Sequence, residues 1–310
     1  MFSKVLIATN SSPSSFAILG CAKSLYLLGT RECVLAQCFM IKEHVAFPGQ
    51  IKDYIVSTLD RQKDILEGLG IRTTVAAEVG LPGSRIPRIA TERNCSLIVV
   101  GSHGHNLASE ILLGGTAAEI IHQTTKPILI IHLKVDEETS RPIYVEKKKS
   151  LMHHILYATD FSDHSSRAFD YVSKFVECGA LHVTLLHVQD KTRLGTHLKD
   201  RLEEFNDIDT KRLEVLKERL EKVGDAQIEI EIPYGSPTSE ILKRTNGTDV
   251  SVVIIGSHGR GFVSEMFLGS VSHNIARHSE SPVLLIPRRL EDTDITKESC
   301  ETQIGQGDKR

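Results

Sequence analysis

Glycine, serine and histidine recur at one spacing in two places. Residues 256–269 read GSHGRGFVSEMFLG, and residues 101–114 read GSHGHNLASEILLG, an offset of 155 positions. The fuller copy runs Gly256-x2-Gly259-x9-Gly269-Ser270. It follows an apolar run, Val252–Ile255, and precedes a helical pattern reaching about His278. Gly256 and Gly259 let a chain turn beneath a ligand with no side chain in the way. Gly269 and Ser270 fall where a helix starts, so their N–H groups lack intrahelical partners and the helix dipole favours an anion. Ser270 and Ser272 add hydroxyl donors. Together these residues make a phosphate cradle without a Walker lysine. No GxxxxGK[ST] occurs, which excludes a P-loop NTPase.

Asp160 ends another apolar run, HILYATD, at 154–160. In open α/β sheets ligands sit beyond the carboxyl ends of strands, at the point where strand order reverses. A carboxylate there suits a ribose hydroxyl or a metal on the phosphates. It equally suits a helix N-cap or a turn, and only the neighbouring glycine motif favours the ligand.

The elements that must position these residues also occur twice. KVLIATN (4–10) answers HILYATD. Helical patterns at 11–29 and 162–179 close on glycine, with Ser162 or Asp163 as the N-cap of the second. Strands are predicted at 33–39 and 182–189, and at 72–79 and 227–233. An amphipathic stretch at about 194–223 carries the extra residues of the second copy. Gly80-x-Pro82 and Gly235-x-Pro237 each open a helix. The copies close on Pro127–His132 and Pro282–Pro287. Strands alternating with helices predict an α/β fold of two doubly wound, mostly parallel sheet domains. The repeats span 1–132 and 151–287; 133–150 reads as a charged linker and 288–310 as a disordered tail.

Composition narrows the function. A net charge of −3 over 310 residues argues against a nucleic-acid partner. No apolar run approaches the roughly 20 residues that span a bilayer. MFSKVLIATN enters a strand with no signal peptide, so a cytoplasmic protein is expected. The six cysteines form no CxxC pair, and the 14 histidines show no HExxH or other ligand spacing. Reduced thiols, and no metal held by the protein alone, are expected.

These residues resemble the ATP-binding subgroup of the universal stress protein family, whose signature is G-x2-G-x9-G-[ST] after strand four and Asp after strand one. The resemblance covers both repeats. It implies strand order 3-2-1-4-5, the adenine nucleotide alpha hydrolase-like arrangement, and pairing through the last strand. The two repeats would form a pseudo-dimer, and two chains a homodimer. It also implies an adenine nucleotide, ATP or AMP, with Mg on the phosphates. In repeat two, Ala158, Thr159 and Asp160 would line the adenosine side. Val188 would offer its backbone to adenine. Ile255, Gly256, Gly259, Gly269, Ser270, Val271 and Ser272 would hold ribose and phosphates. His258 and Arg260 lie in the loop; Arg260 suits a γ-phosphate or plain solvation equally.

Repeat one keeps Ala8, Thr9, Gly101, Gly104 and Gly114 but departs elsewhere. Asn10 replaces the aspartate, Cys38 replaces Val188, and Gly115-Thr116-Ala117 replaces Ser270-Val271-Ser272. A lost charge-assisted hydrogen bond costs about 1.5–3 kcal/mol, or about ten- to a hundredfold in affinity. Repeat two is therefore expected to hold the nucleotide and repeat one to bind weakly or not at all. A nucleotide-dependent stress sensor or regulator is the first reading. A nucleotide-independent dimeric scaffold, and a slow ATPase or autophosphorylating enzyme using His258 or Asp160, are the alternatives. Unknown protein partners follow from the first two.

Overall fold

The computed structural model describes residues 2–10, 12–40, 48–102, 113–135, 142–144, 150–194, 199–246, 248–259 and 268–287. Repeat one runs β1 (Lys4–Ala8), α1 (Pro13–Ile18), a 3-10 turn, α2 (Ala22–Leu27), β2 (Glu32–Phe39), α3 (Pro48–Gly68), β3 (Arg72–Val79), α4 (Pro82–Glu92), β4 (Leu97–Gly101), α5 (Gly115–Gln123) and β5 (Ile128–Ile131). A ribbon of β6 (Lys134–Val135) against β7 (Pro142–Ile143) follows. Repeat two runs β8 (His154–Ala158), α6 (Asp163–Glu177), β9 (His182–Leu186), β10 (Gln189–Asp190), α7 (Lys191–Leu194), α8 (Leu202–Glu221), β11 (Gln227–Glu231), β12 (Tyr234–Gly235), α9 (Pro237–Thr245), β13 (Val252–Gly256), α10 (Ser270–His278) and β14 (Val283–Ile286).

The main strands make one ten-stranded sheet, ordered β11-β9-β8-β13-β14-β5-β4-β1-β2-β3. Each half is a parallel sheet of order 3-2-1-4-5, as expected. The halves join where β14 meets β5 antiparallel, Leu284 opposite Leu129. That pairing satisfies two edges that would otherwise be open.

Strands buried on both faces read as continuous apolar runs. In β1, Val5 and Ile7 face one core and Leu6 the other; in β8, Ile155 and Tyr157 oppose Leu156 and Ala158. Both cores run through both repeats. One is covered by α1, α2, α6 and α8, the other by α4, α5, α9 and α10. The repeats also touch directly: the rings of Phe2 and Tyr171 stack at 5.8 Å, and the Leu151 N–H donates to Ser24 Oγ at 3.1 Å. Among the described residues no helix is long and apolar enough to cross a membrane.

Several local outcomes differ from the sequence pattern, among them the strands expected over 182–189 and 227–233, which end at Leu186 and Glu231. The helix expected over 11–29 is interrupted at Leu19–Cys21. There the ring of Tyr144 presses on the backbone; a Cβ on Gly20 would lie 2.9 Å from it. The stretch that reads as solvated linker thus places an aromatic ring against repeat one. The strands expected to reach Asn10 and Asp160 end at Ala8 and Ala158. Beyond them Thr9 and Thr159 each donate one backbone bond to the neighbouring strand, at 2.9 Å.

Candidate functional site

The ends of β8 and β13 lie side by side, Ala158 opposite Ile255. The chain splits apart beyond them, and a cavity of about 390 Å³ opens there. Ala158, Thr159, Asp160, Val188, Ile255, Gly256, His258, Gly259, Ser270, Val271 and Ser272 line it. Gly269 caps α10 beside them. Arg260 lies outside the described residues.

Packing explains the glycines. A Cβ on Gly256 would sit 3.1 Å from the His164 backbone, because the first turn of α6 presses on the end of β13. A Cβ on Gly259 would come within 2.8 Å of Asp160 Oδ2, and one on Gly269 within 3.2 Å of the Ser257 carbonyl. The Gly269 N–H donates to that carbonyl at 2.8 Å, closing the loop under the start of α10. Among the described residues no side chain caps α10, and its first turn, Ser270 to Ser272, lines the cavity.

Asp160 is held rather than free to swing. Its Oδ1 accepts from the Ser162 N–H at 3.0 Å and from Ser162 Oγ at 2.6 Å. Ser162 in turn caps α6 through the Ser165 N–H. Phe161 sits between them at φ 58°, a left-handed conformation that is costly for an aromatic residue. Its N–H donates to Thr159 Oγ1 at 3.0 Å. Its ring packs 4.6 Å from His187, and the Arg212 guanidinium stacks 3.8 Å from its centroid. Beneath this turn the Tyr157 hydroxyl donates to the Ser165 carbonyl at 2.7 Å, and burial pushes its pKa up to about 12.

Two expected ligand groups have structural roles. Ser272 Oγ donates to the Gly256 carbonyl at 2.7 Å, tying α10 to the strand end. Thr159 Oγ1 donates to Ser165 Oγ at 3.0 Å. Ser270 stands at the first helical position. His258 Nδ1 lies 2.8 Å from Ser257 Oγ, its ring 5.8 Å from that of His164.

The far end of the cavity was not read from the sequence. His187, Gln189, Asp190, Arg193, Phe205, Asp209, Pro237 and Ile241 line it. Flanking Val188 by two polar residues at the end of an apolar strand was the one available signal. Asp209 gave none, because a helix already rich in carboxylates hides it.

Repeat one builds the same frame around a smaller cavity of about 290 Å³. Ala8, Thr9, Asn10, Cys38, Gly101, Gly114, Gly115 and Thr116 line it, while Gly104 lies outside the described residues. Asn10 Oδ1 accepts from the Ser12 N–H at 3.2 Å, Ser12 Oγ at 2.6 Å and Ser15 Oγ at 2.5 Å. Asparagine therefore keeps the place of the aspartate and loses its charge. A Cβ on Gly115 would meet nothing within 4 Å, so the missing serine is not excluded by packing. Burial, with Glu78 nearby, pushes the Cys38 thiol up to about 11 and keeps it neutral. Among the described residues no group of three or more His, Cys, Asp or Glu side chains could hold a metal ion.

Comparison with known proteins agrees with this architecture. The universal stress protein family model matches residues 1–132 and again 152–287. Universal stress protein MJ0577 of Methanocaldococcus jannaschii is 34% identical over 154 residues, which is 44% of this chain and 94% of that protein. A universal stress protein of Mycolicibacterium smegmatis is 24% identical over 232 residues, 74% of each chain. The crystal structure of a universal stress protein from Archaeoglobus fulgidus superposes with a TM-score of 0.67 at 21% identity, over 93% of this chain and 97% of that one. With its fold, its repeated cavity and two matches to one family model, the chain belongs to the universal stress protein family, as a tandem of two repeats.

Proposed function

We propose that this protein binds an adenine nucleotide, ATP or AMP, chiefly in repeat two, and acts as a nucleotide-dependent regulator in a stress response. The carrying observation is the cradle itself. Gly256, Gly259 and Gly269 stand where any side chain would strike Asp160 or the backbone, and the first turn of α10, with a glycine as its cap, lines the same cavity. Phosphates would lie on Gly259, Gly269 and the α10 N–H groups, where helix ends favour anions. Asp160, already aimed by Ser162, would take a ribose hydroxyl. The base would then fall toward Val188. Any Mg would arrive on the phosphates, with Asp160 the carboxylate nearest the cradle. A ligand with different affinities for two conformations would supply the switch.

Calorimetric titration with Mg-ATP and with AMP tests this. Gly269→Glu puts a carboxylate into the cradle and should reduce affinity at least about a hundredfold, since it both fills the space and repels phosphate. Unchanged binding in that variant, with circular dichroism showing it folded, would remove the cradle from the account.

A further inference from the structure

The cavity of repeat two continues past Val188 to a wall made by α8. Asp209 stands in it, its side chain 13% exposed. Its Oδ2 accepts from Gln189 Nε2 at 2.9 Å and its Oδ1 from Arg212 Nη1 at 3.1 Å. His187 Nε2 lies 3.4 Å from Oδ2. His187 Nδ1 lies 2.8 Å from the Thr159 carbonyl, which can only accept, so Nδ1 carries a proton. Nε2 is the ring nitrogen that faces the carboxylate. Arg212 and Gln189 donate to Asp209, and His187 stands beside them, so Asp209 is fixed in the wall as an acceptor. An ionised carboxylate is an acceptor with no proton to give.

Among the described residues repeat one has no such wall. Gln37 stands in place of His187, and the buried pattern of α3 puts Ile55 in place of Asp209, packed with Leu59 and Ala77. The carboxylate therefore accompanies the cradle that kept its aspartate and serine, and an isoleucine takes its place beside the other.

We infer that Asp209 selects the base: it admits a purine whose six-position edge carries an amino group and rejects one that carries a carbonyl there. This rests on the nucleotide reading above. A ligand with phosphates on the α10 cradle carries its base away from them, and Val188, Phe205 and Asp209 line the same cavity. An amino group there can donate to the free lone pairs of Asp209. A carbonyl would set oxygen against oxygen, with no hydrogen between them to share. Sites built around a hydrogen bond discriminate strongly against ligands that lack it.

The test compares binding of ATP with binding of inosine triphosphate, which differs by the amino-to-carbonyl exchange, in wild type and in Asp209→Asn. Wild type should favour ATP at least about tenfold. Asp209→Asn should weaken ATP and strengthen inosine triphosphate, because its amide can donate to the carbonyl, bringing the two within about threefold. If Asp209→Asn fails a circular dichroism check, Asp209→Ser takes its place with the same expected loss of preference. Equal binding of both nucleotides to wild type, or a preference that survives in the variant, would overturn the inference and leave nucleotide binding standing. Failure of wild type to bind either would overturn the nucleotide reading and this inference with it.

Discussion

At the scale of single residues, the two repeats are one design with different charge. Asn10 and Asp160 occupy the same turn and accept from equivalent serines, so the substitution removes a charge and leaves the geometry. Gly115 has open space where Ser270 carries a hydroxyl. The double variant Asn10→Asp, Gly115→Ser should therefore convert a weak or silent site into a measurable one. Titration should show a second nucleotide per chain, with affinity gained by about ten- to a hundredfold over wild-type repeat one. A stoichiometry unchanged from wild type would show that another difference, Cys38 first, silences repeat one. The glycines were legible because their spacing marks a strand-turn-helix cradle; Asp160 was legible beside them from its place at a strand end, and Val188 through the family resemblance, and all but Gly269 line one cavity. Asp209 and Phe161 were not. One is a carboxylate among many on an amphipathic helix. The other takes a left-handed conformation that nothing in its residue type predicts.

At the scale of elements, the start of α6 does two jobs through Ser162. Its hydroxyl caps the helix by accepting from the Ser165 N–H at 3.3 Å, and donates to Asp160 at 2.6 Å. Ser162→Ala should lower stability by about 1 kcal/mol, the usual loss of an N-cap. It should also weaken nucleotide binding by loosening Asp160, so denaturant melts and titration should both register it. A stability loss with affinity unchanged would mean that Asp160 does not contact the ligand. Element order and a mostly parallel sheet followed from the repeated apolar runs and the glycine and proline punctuation, and the strand order from the family resemblance. The break between α1 and α2 did not, and the ring packed against it, Tyr144, comes from more than a hundred residues away.

At the scale of the whole molecule, the antiparallel junction of β14 with β5 makes the two repeats one sheet with shared cores. The expected edge pairing of the closing strands is thus found within the chain. Contact across it includes His132 Nε2 with the Ala276 carbonyl at 2.9 Å. His273 on α10 has its pKa lowered, first by burial and then by the positive neighbours His122, Arg277 and His278, of which His122 belongs to repeat one. Below the ordinary histidine value of 6.5 the unfolded chain takes up a proton that folded His273 resists. Stability contributed by this residue is therefore present at neutral pH and lost as pH falls below about 6.5. Thermal melts from pH 7.5 to 5.5 should show a fall in Tm that is shallower in His273→Gln; parallel profiles would contradict this. The central claim, one competent nucleotide cradle per chain, is tested most directly by denaturing the purified protein and quantifying what it releases, by chromatography and mass. About one adenine nucleotide per chain, at the start or after incubation with Mg-ATP, is the predicted result. None under either condition would contradict the account.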